Sequence, residues 1–315
     1  MASPQRLVHS LKHLSPRLLE TKSNIRAPSV PKTPDNVHEG KAKNEKLLSP
    51  FNIDTPNRVK LLENGLPKKY HSILGAGAFG TVYKALYKGD QIAAKIIPRK
   101  QNDDETINSE RHAATLRHAN IVKILSIEQG SSLSLIAMEL CGTSLQDRLQ
   151  ESALLKEERV SIWKDIARAL QFCHNSGVIH ADVKATNILM ATGGQAKLTD
   201  FGSSILIDKP HVSIQPRGTP GYTAPEILRG NIPTFATDIY SLGIVAWQML
   251  SRQVPFYGLH IHTIIYISVK GTRPKDEALD DEFAGRYKEL FRAAWSQHAV
   301  DRPSLDEIIN RLDLL

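Results

Sequence analysis

An α+β fold in two lobes is predicted, and three observations predict it. Strand patterns and a glycine-rich turn fill residues 70–139, helical periodicity takes over after Gly142, and before residue 66 no apolar period persists. Residues 1–65 read as a disordered, basic, proline-rich arm: eight of the 17 prolines precede Tyr70, and Phe51 is the only Phe, Tyr or Trp before it. A folded body of residues 66–315 follows, divided into a first lobe (66–139), a hinge (139–142) and a second lobe (143–315).

The elements follow in order. Within the arm, Leu7, Leu11, Leu14 and Leu18 recur at helical spacing, but Pro16 argues against a long helix. Tyr70–Leu74, Thr81–Leu86 and Gln91–Ile97 read as three strands. The acidic run Asp103-Asp104-Glu105 opens a helix that continues towards Leu116, because carboxylates are favoured at a helix N-terminus. Val122–Ile127 and Leu133–Glu139 complete a five-stranded sheet. In the second lobe Ile162, Ile166, Leu170 and Cys173 keep one helix face apolar. Asp238–Leu250 is apolar nearly all round, as a buried central helix is.

Composition excludes several classes. With 315 residues, 41% of them apolar and 23% charged, the chain is an ordinary globular protein. Two cysteines, Cys141 and Cys173, cannot build a disulfide framework or a cysteine-rich zinc site, and they point to a reducing compartment. No apolar run approaches the roughly 18 residues of a membrane span, and the start lacks the apolar region of a secretory signal. The net charge of +7 lies wholly in residues 1–69, so it gives no warrant for a basic nucleic-acid groove in the body. The expectation is a cytoplasmic monomer that binds neither nucleic acid nor membrane.

Five short motifs carry the chemistry. Gly75-Ala76-Gly77-Ala78-Phe79-Gly80-Thr81-Val82 is Gly-x-Gly-x-x-Gly-x-Val, in which missing Cβ atoms let backbone N–H groups approach phosphate oxygens. A strand rather than a helix follows the glycines, which argues against a dinucleotide site. Ile92-Ala93-Ala94-Lys95 sets a lysine in an apolar strand, where it needs a partner; Glu110 on the next helix is the natural one. Then come His180-Ala181-Asp182-Val183-Lys184-Ala185-Thr186-Asn187, Asp200-Phe201-Gly202 and Ala224-Pro225-Glu226. Each motif alone arises by chance, whereas five in this order do not.

In these motifs the chain resembles the eukaryotic protein kinase family over about residues 66–315. The resemblance implies ATP and Mg²⁺ as cofactors. It implies that Gly75, Gly77 and Gly80 cover the phosphates and that Lys95, braced by Glu110, holds the α and β phosphates. Asp182 would take the substrate proton, Lys184 would stabilise the transferred phosphoryl group, and Asn187 and Asp200 would ligate the metal. Leu74, Val82, Ala93 and Leu189 match the apolar walls around adenine, Met138 matches the gatekeeper, and Glu139 and Cys141 would offer backbone groups to the base. Lys184 and the run Gly218–Glu226 resemble serine/threonine kinases, in which Thr219 bridges the base and Lys184. Arg302 would pair with Glu226.

Within the superfamily, Leu74–Gly89, the His180-Ala181-Asp182 loop lacking the usual arginine, Asp238–Met249 and the Trp295 to Ser304 region resemble the Mos family. That resemblance implies a MAP kinase kinase as protein substrate, upstream of MAP kinase in oocyte meiotic maturation. The rivals are a Raf-like or receptor-interacting-type kinase and a pseudokinase scaffold. The arm holds five Ser/Thr-Pro pairs (Ser3, Ser15, Thr33, Ser49 and Thr55) that suit proline-directed kinases. In most regulated kinases the position of Ala181 is an arginine that docks an activation-segment phosphate. Alanine has no donor, so activity independent of that phosphate is expected, with Ser203, Ser204, Ser213 and Thr223 read as solvated loop residues.

Overall fold

The computed structural model describes residues 50–55, 57–64, 72–77, 80–99, 104–208, 218–280, 282–283 and 285–315. The leucine repeat of the arm, Tyr70, Asp103, the tip of the glycine turn and residues 209–217 lie outside the described residues.

The first lobe contains β1 (Phe51–Asn52), α1 (Asn57–Asn64), β2 (Ile73–Gly77), β3 (Gly80–Tyr87), β4 (Asp90–Pro98), α2 (Asp104–Ala113), β5 (Ile124–Gln129) and β6 (Leu133–Glu139). Strands β2, β3, β4, β6 and β5 are antiparallel neighbours in that order, five as the sequence predicts, but β2 runs on through Gly75 and Gly77, which the sequence places in the turn, and β5 begins at Ile124 rather than Val122. A sixth, β1, pairs parallel with β3. Helix α2 stops at Ala113, one turn short of Leu116.

Period-two alternation divides this sheet into two apolar faces. Ala93 and Ile97 of β4 and Ile136 and Met138 of β6 belong to the core shared with the second lobe. Lys95 lies between Ala93 and Ile97 on that face. The opposite face presents Ala85, Ile92, Ala94, Ile96, Leu135 and Ala137, and Ile53 and Leu61 cover it. The arm, expected to run to residue 65, therefore gives way to packed structure by Phe51. The reason is that a sheet apolar on both faces must be covered on both. Gly130 allows this cover to close: a Cβ there would sit 2.2 Å from the Leu62 carbonyl oxygen.

The second lobe contains α3 (Leu145–Glu151), α4 (Lys156–Asn175), β7 (Val178–Ile179), β8 (Ile188–Met190), β9 (Ala196–Leu198), β10 (Ile205–Leu206), α5 (Pro225–Leu228), α6 (Phe235–Ser251), α7 (Ile261–Val269), α8 (Arg286–Ala294) and α9 (Leu305–Asp313). Helix α6 is buried from Thr237 to Met249, as its sequence predicts. Trp163 of α4 meets Tyr287 of α8 edge to face at 5.0 Å between ring centroids, and both are fully buried. Two short antiparallel pairs, β8–β9 and β7–β10, lie apart from the large sheet. No helix of the described residues is long and apolar enough to cross a membrane.

Ile53→Ala and Leu61→Ala are each expected to lower the unfolding free energy by about 2–5 kcal/mol, the range for emptying a buried aliphatic site. A chain starting at residue 66 should melt below one starting at residue 50. Urea and thermal unfolding followed by circular dichroism check both; equal midpoints would show that residues 51–64 contribute nothing.

Candidate active site

A cleft of about 700 Å³ opens between the sheet and the second lobe. Leu74, Gly75, Gly77 and Gly80 line it from the β2–β3 hairpin, and Val82 and Ala93 from β3 and β4. Met138, Cys141 and Leu189 line it from the end of β6, the hinge and β8. Lys95, Glu110, Lys184, Asn187 and Asp200 give it a charged end. Gly80 is required here: its φ is +129°, and a Cβ would meet the Ile96 carbonyl oxygen at 2.3 Å.

At that charged end Lys95 is almost fully buried. Its Nζ donates to Glu110 Oε1 at 2.6 Å and to Asp200 Oδ1 at 2.6 Å. The two carboxylates come from opposite lobes, Glu110 from α2 and Asp200 from the turn after β9. Burial works against the Lys95 ammonium, but the two carboxylates outweigh it and hold its pKa above the ordinary lysine value. Burial likewise opposes the Asp200 carboxylate, and Lys95 overrides it, so Asp200 stays ionised below its usual range. Burial pushes Glu110 up; Lys95 pulls against this, and the Asp200 charge adds to it. Asp200 also holds φ 64°, ψ 71°, a left-handed conformation uncommon outside glycine.

The loop after β7 is pinned from below by Asp238 of α6. Its carboxylate accepts the backbone N–H of His180 and of Ala181, each at 2.9 Å, and contacts His174 Nε2 at 2.9 Å. Ala181 is held at φ 63°. Asp182 then meets three donors. Thr219 Oγ1 donates to its Oδ1 at 2.8 Å, Lys184 Nζ to its Oδ2 at 2.7 Å, and Asn187 Nδ2 to its Oδ2 at 3.2 Å. Lys184 Nζ also donates to Thr219 Oγ1 at 2.7 Å, closing a triangle. Asn187 spends its amide nitrogen on Asp182, including the backbone oxygen at 2.9 Å, and lines the cleft together with Asp200.

Comparison with known proteins agrees with this geometry. The protein kinase domain family matches residues 69–312. The chain belongs to the protein kinase family. It is 34% identical over 259 residues to a serine/threonine-protein kinase mos of Patiria pectinifera, covering 76% of this chain and 73% of that one. It is 31% identical over 273 residues to the proto-oncogene serine/threonine-protein kinase mos of Sus scrofa, covering 76% and 78%. A probable serine/threonine-protein kinase of Dictyostelium discoideum is 32% identical over 258 residues, covering 78% of this chain but 27% of its own length. The chain is a serine/threonine protein kinase related to the Mos kinases, and it uses ATP.

Three of the residues expected at the site of this kinase stand back from the cleft walls. Asp182 and Thr219 lie just beyond Lys184. Glu139 turns its carboxylate away, onto the Lys123 N–H at 2.7 Å and onto Lys197 Nζ at 2.7 and 2.9 Å. Its own N–H is spent on the Lys123 carbonyl oxygen at 3.0 Å. Glu139 thus ties the hinge to β9, three residues before Asp200. Cys141 lines the cleft as a protonated thiol, pushed up to about 11 by burial and by the Glu139 charge. Ser203, Ser204 and Thr223, read from sequence as solvated, are buried. The Ser204 carbonyl oxygen accepts Ser109 Oγ of α2 at 2.9 Å. Arg302 meets Glu226 through two hydrogen bonds of 2.6 and 2.8 Å, as expected.

Sequence reading missed Asp238, Lys197 and the Thr199 carbonyl oxygen that contacts His180 Nε2 at 3.0 Å. Only Asp238 left a signal: a lone acid in an otherwise apolar helix is costly unless it is paired.

Protonation of Glu110 breaks its pair with Lys95. Because its pKa is raised, activity at subsaturating ATP should fall on the acid side at a pH above the ordinary glutamate value of about 4.3. Glu110→Gln should remove that limb and lower kcat/KM for ATP at least about tenfold, the scale of a misplaced phosphate contact. A pH profile of kcat/KM for the two proteins checks this; an unchanged acid limb in the glutamine variant would assign it to another group.

Proposed function

We propose that this kinase transfers the γ-phosphoryl group of ATP to a serine or threonine hydroxyl of a MAP kinase kinase, upstream of MAP kinase in oocyte meiotic maturation. The observation that carries the chemistry is the triangle of Asp182, Lys184 and Thr219. A carboxylate held by a lysine and a threonine hydroxyl, just beyond the charged end of the cleft, is suited to orient an acceptor hydroxyl. Similarity to the Mos kinases supports the choice of substrate and pathway.

Each residue has a role in this reading. Backbone N–H groups of the turn carrying Gly75, Gly77 and Gly80 approach the phosphates, and Lys95 binds the α and β phosphates while Glu110 keeps it in place. Leu74, Val82, Ala93, Leu189 and Met138 enclose the adenine, whose edge meets backbone groups of Glu139 and Cys141. Asp182 orients the acceptor hydroxyl and takes its proton as the oxygen–phosphorus bond forms and ADP departs. Lys184 lies against the transferred phosphoryl group. The oxygens of Asp200 and Asn187 are hard donors that fit Mg²⁺. When bound, the ion would supply positive charge that offsets the phosphate groups. The surroundings proposed are cytoplasmic.

Asp182→Asn and Asp200→Asn are each expected to lower kcat by about 10²-fold or more, because positioning and charge stabilisation supply most of the acceleration. Both should fold, since neither removes apolar core. Purified protein with a catalytically dead MAP kinase kinase, beside unrelated acceptors, tests enzyme and substrate together. Loss of rate in the variants with no preference for the MAP kinase kinase would leave a kinase of another pathway. A full rate in Asp200→Asn would remove the assignment of roles.

We also propose that activity does not wait on activation-segment phosphate. Ala181 has no side-chain donor for one, and buried Ser203 and Ser204 are poor acceptors. Protein made in bacteria and stripped by a phosphatase should keep its initial rate. A rate that collapses and returns only on rephosphorylation would show the reverse.

A further inference from the structure

Of the five Ser/Thr-Pro pairs that precede residue 66, Thr55-Pro56 alone has its hydroxyl residue among the described residues. Thr55 is exposed, yet it does not sit on a free arm. Ile53, two positions before it, and Leu61, six after it, are both buried on the outer face of the sheet. The hydroxyl is thus presented to solvent by a segment pinned on both sides.

Two cations stand beside this segment. Arg58 Nη2 faces Thr55 Oγ1 at 3.5 Å, the outer limit of a hydrogen bond. The rest of the guanidinium is fixed. Its Nε meets Glu128 Oε2 at 3.1 Å, its Nη1 donates to the Tyr87 hydroxyl at 3.3 Å, and its Cζ lies 5.5 Å from the centre of the Tyr87 ring. Lys88 Nζ lies 5.3 Å from the same ring centre. The Lys88 backbone N–H donates to Asp54 Oδ1 at 2.7 Å, which ties the β3–β4 turn to the residue before Thr55.

The two acids at hand are already engaged, Asp54 by that N–H and Glu128 by Arg58 Nε. One corner of the Arg58 fork, in contrast, rests at long range on a neutral hydroxyl. A guanidinium held in place by its other contacts is pre-organised for an anion at that corner.

We propose that Thr55 is a phosphorylation site for a proline-directed protein kinase, and that Arg58 holds the phosphate and so clamps residues 51–64 onto the sheet. In the transfer, Thr55 Oγ1 bonds to the γ-phosphorus of ATP on the modifying kinase. The bond from that phosphorus to the β–γ bridging oxygen breaks, ADP leaves with the electron pair, and the hydroxyl proton passes to the modifying kinase's base. The product carries about −1.5 to −2 charge and three acceptor oxygens. The long neutral contact becomes a charge-assisted one, while Nε keeps Glu128. Arg58 is already in place, so little side-chain freedom is lost. The clamped element is the cover made by Ile53 and Leu61, so the gain falls on the stability of the first lobe.

The test uses the full chain with Ser3, Ser15, Thr33 and Ser49 changed to alanine and with Asp182→Asn to silence self-phosphorylation. Active MAP kinase with MgATP supplies the phosphate, and tandem mass spectrometry locates it. Thr55 should be labelled, and the thermal midpoint should rise by about 2 °C or more. Amide exchange across residues 51–64 should slow as well. Arg58→Gln should be labelled and show no rise; its unlabelled form is melted alongside, so the loss of the Glu128 contact is subtracted. Thr55→Ala should show neither label nor rise. An unlabelled Thr55 in the folded chain, with a peptide of residues 48–62 labelled, overturns the site. A labelled chain whose midpoint and exchange do not change overturns the clamp, as does an equal rise in Arg58→Gln.

Discussion

One buried ammonium organises this molecule. Lys95 lies on a strand whose neighbours are alanine and isoleucine, and its charge is tolerable there only because two carboxylates reach it at 2.6 Å. Glu110 requires α2 to lie against the sheet. Asp200 requires the second lobe to close beneath it. The cleft is therefore a consequence of neutralising one lysine from both sides, and its charged end is where a polyanion finds its countercharge. Removing one partner of such a pair typically costs about 3–5 kcal/mol, because the remaining charge stays buried.

The second lobe repeats the device with signs exchanged. Asp238 is fully buried in α6, and it is satisfied by two backbone N–H groups and a histidine ring of the loop that carries Asp182. That loop cannot shift without stranding a carboxylate in apolar core. Arg302 does the same from α9's approach, spending its guanidinium on Glu226, on the Ala236 and Ser296 carbonyl oxygens and on the face of Tyr240. Buried charges thus fix the two ends of the segment between Asp182 and Glu226. Thr219, between them, falls within reach of both Asp182 and Lys184.

Surface charge follows a different logic. The body is neutral overall, yet its acids and bases are not mixed evenly. Around α7 the sign is positive and the centre apolar. The contrast with the cleft is physical: inside, Lys95 is met by two carboxylates of its own chain, whereas the four Lys and Arg from Arg252 to Lys275 have no Asp or Glu within that stretch.

Much of this was determined by sequence alone. The five main strands, the central helix and the order of the motifs follow from local periodicity and from residue types whose chemistry admits few alternatives. Lys95 and Glu110 were legible as partners because a lysine in an apolar strand needs one. Tertiary structure decided what depends on contacts between distant segments. Phe51–Asn64 has the composition of an arm, and only the uncovered second face of the sheet draws Ile53 and Leu61 into the core. Ser203 and Ser204 look like loop residues until α2 closes over them. The side chain of Glu139 follows Lys197, 58 positions away, rather than the cleft. Periodicity reports which face of an element is apolar, but not which distant residue will cover it. That pairing is set by packing and by the cost of leaving a buried charge unmet.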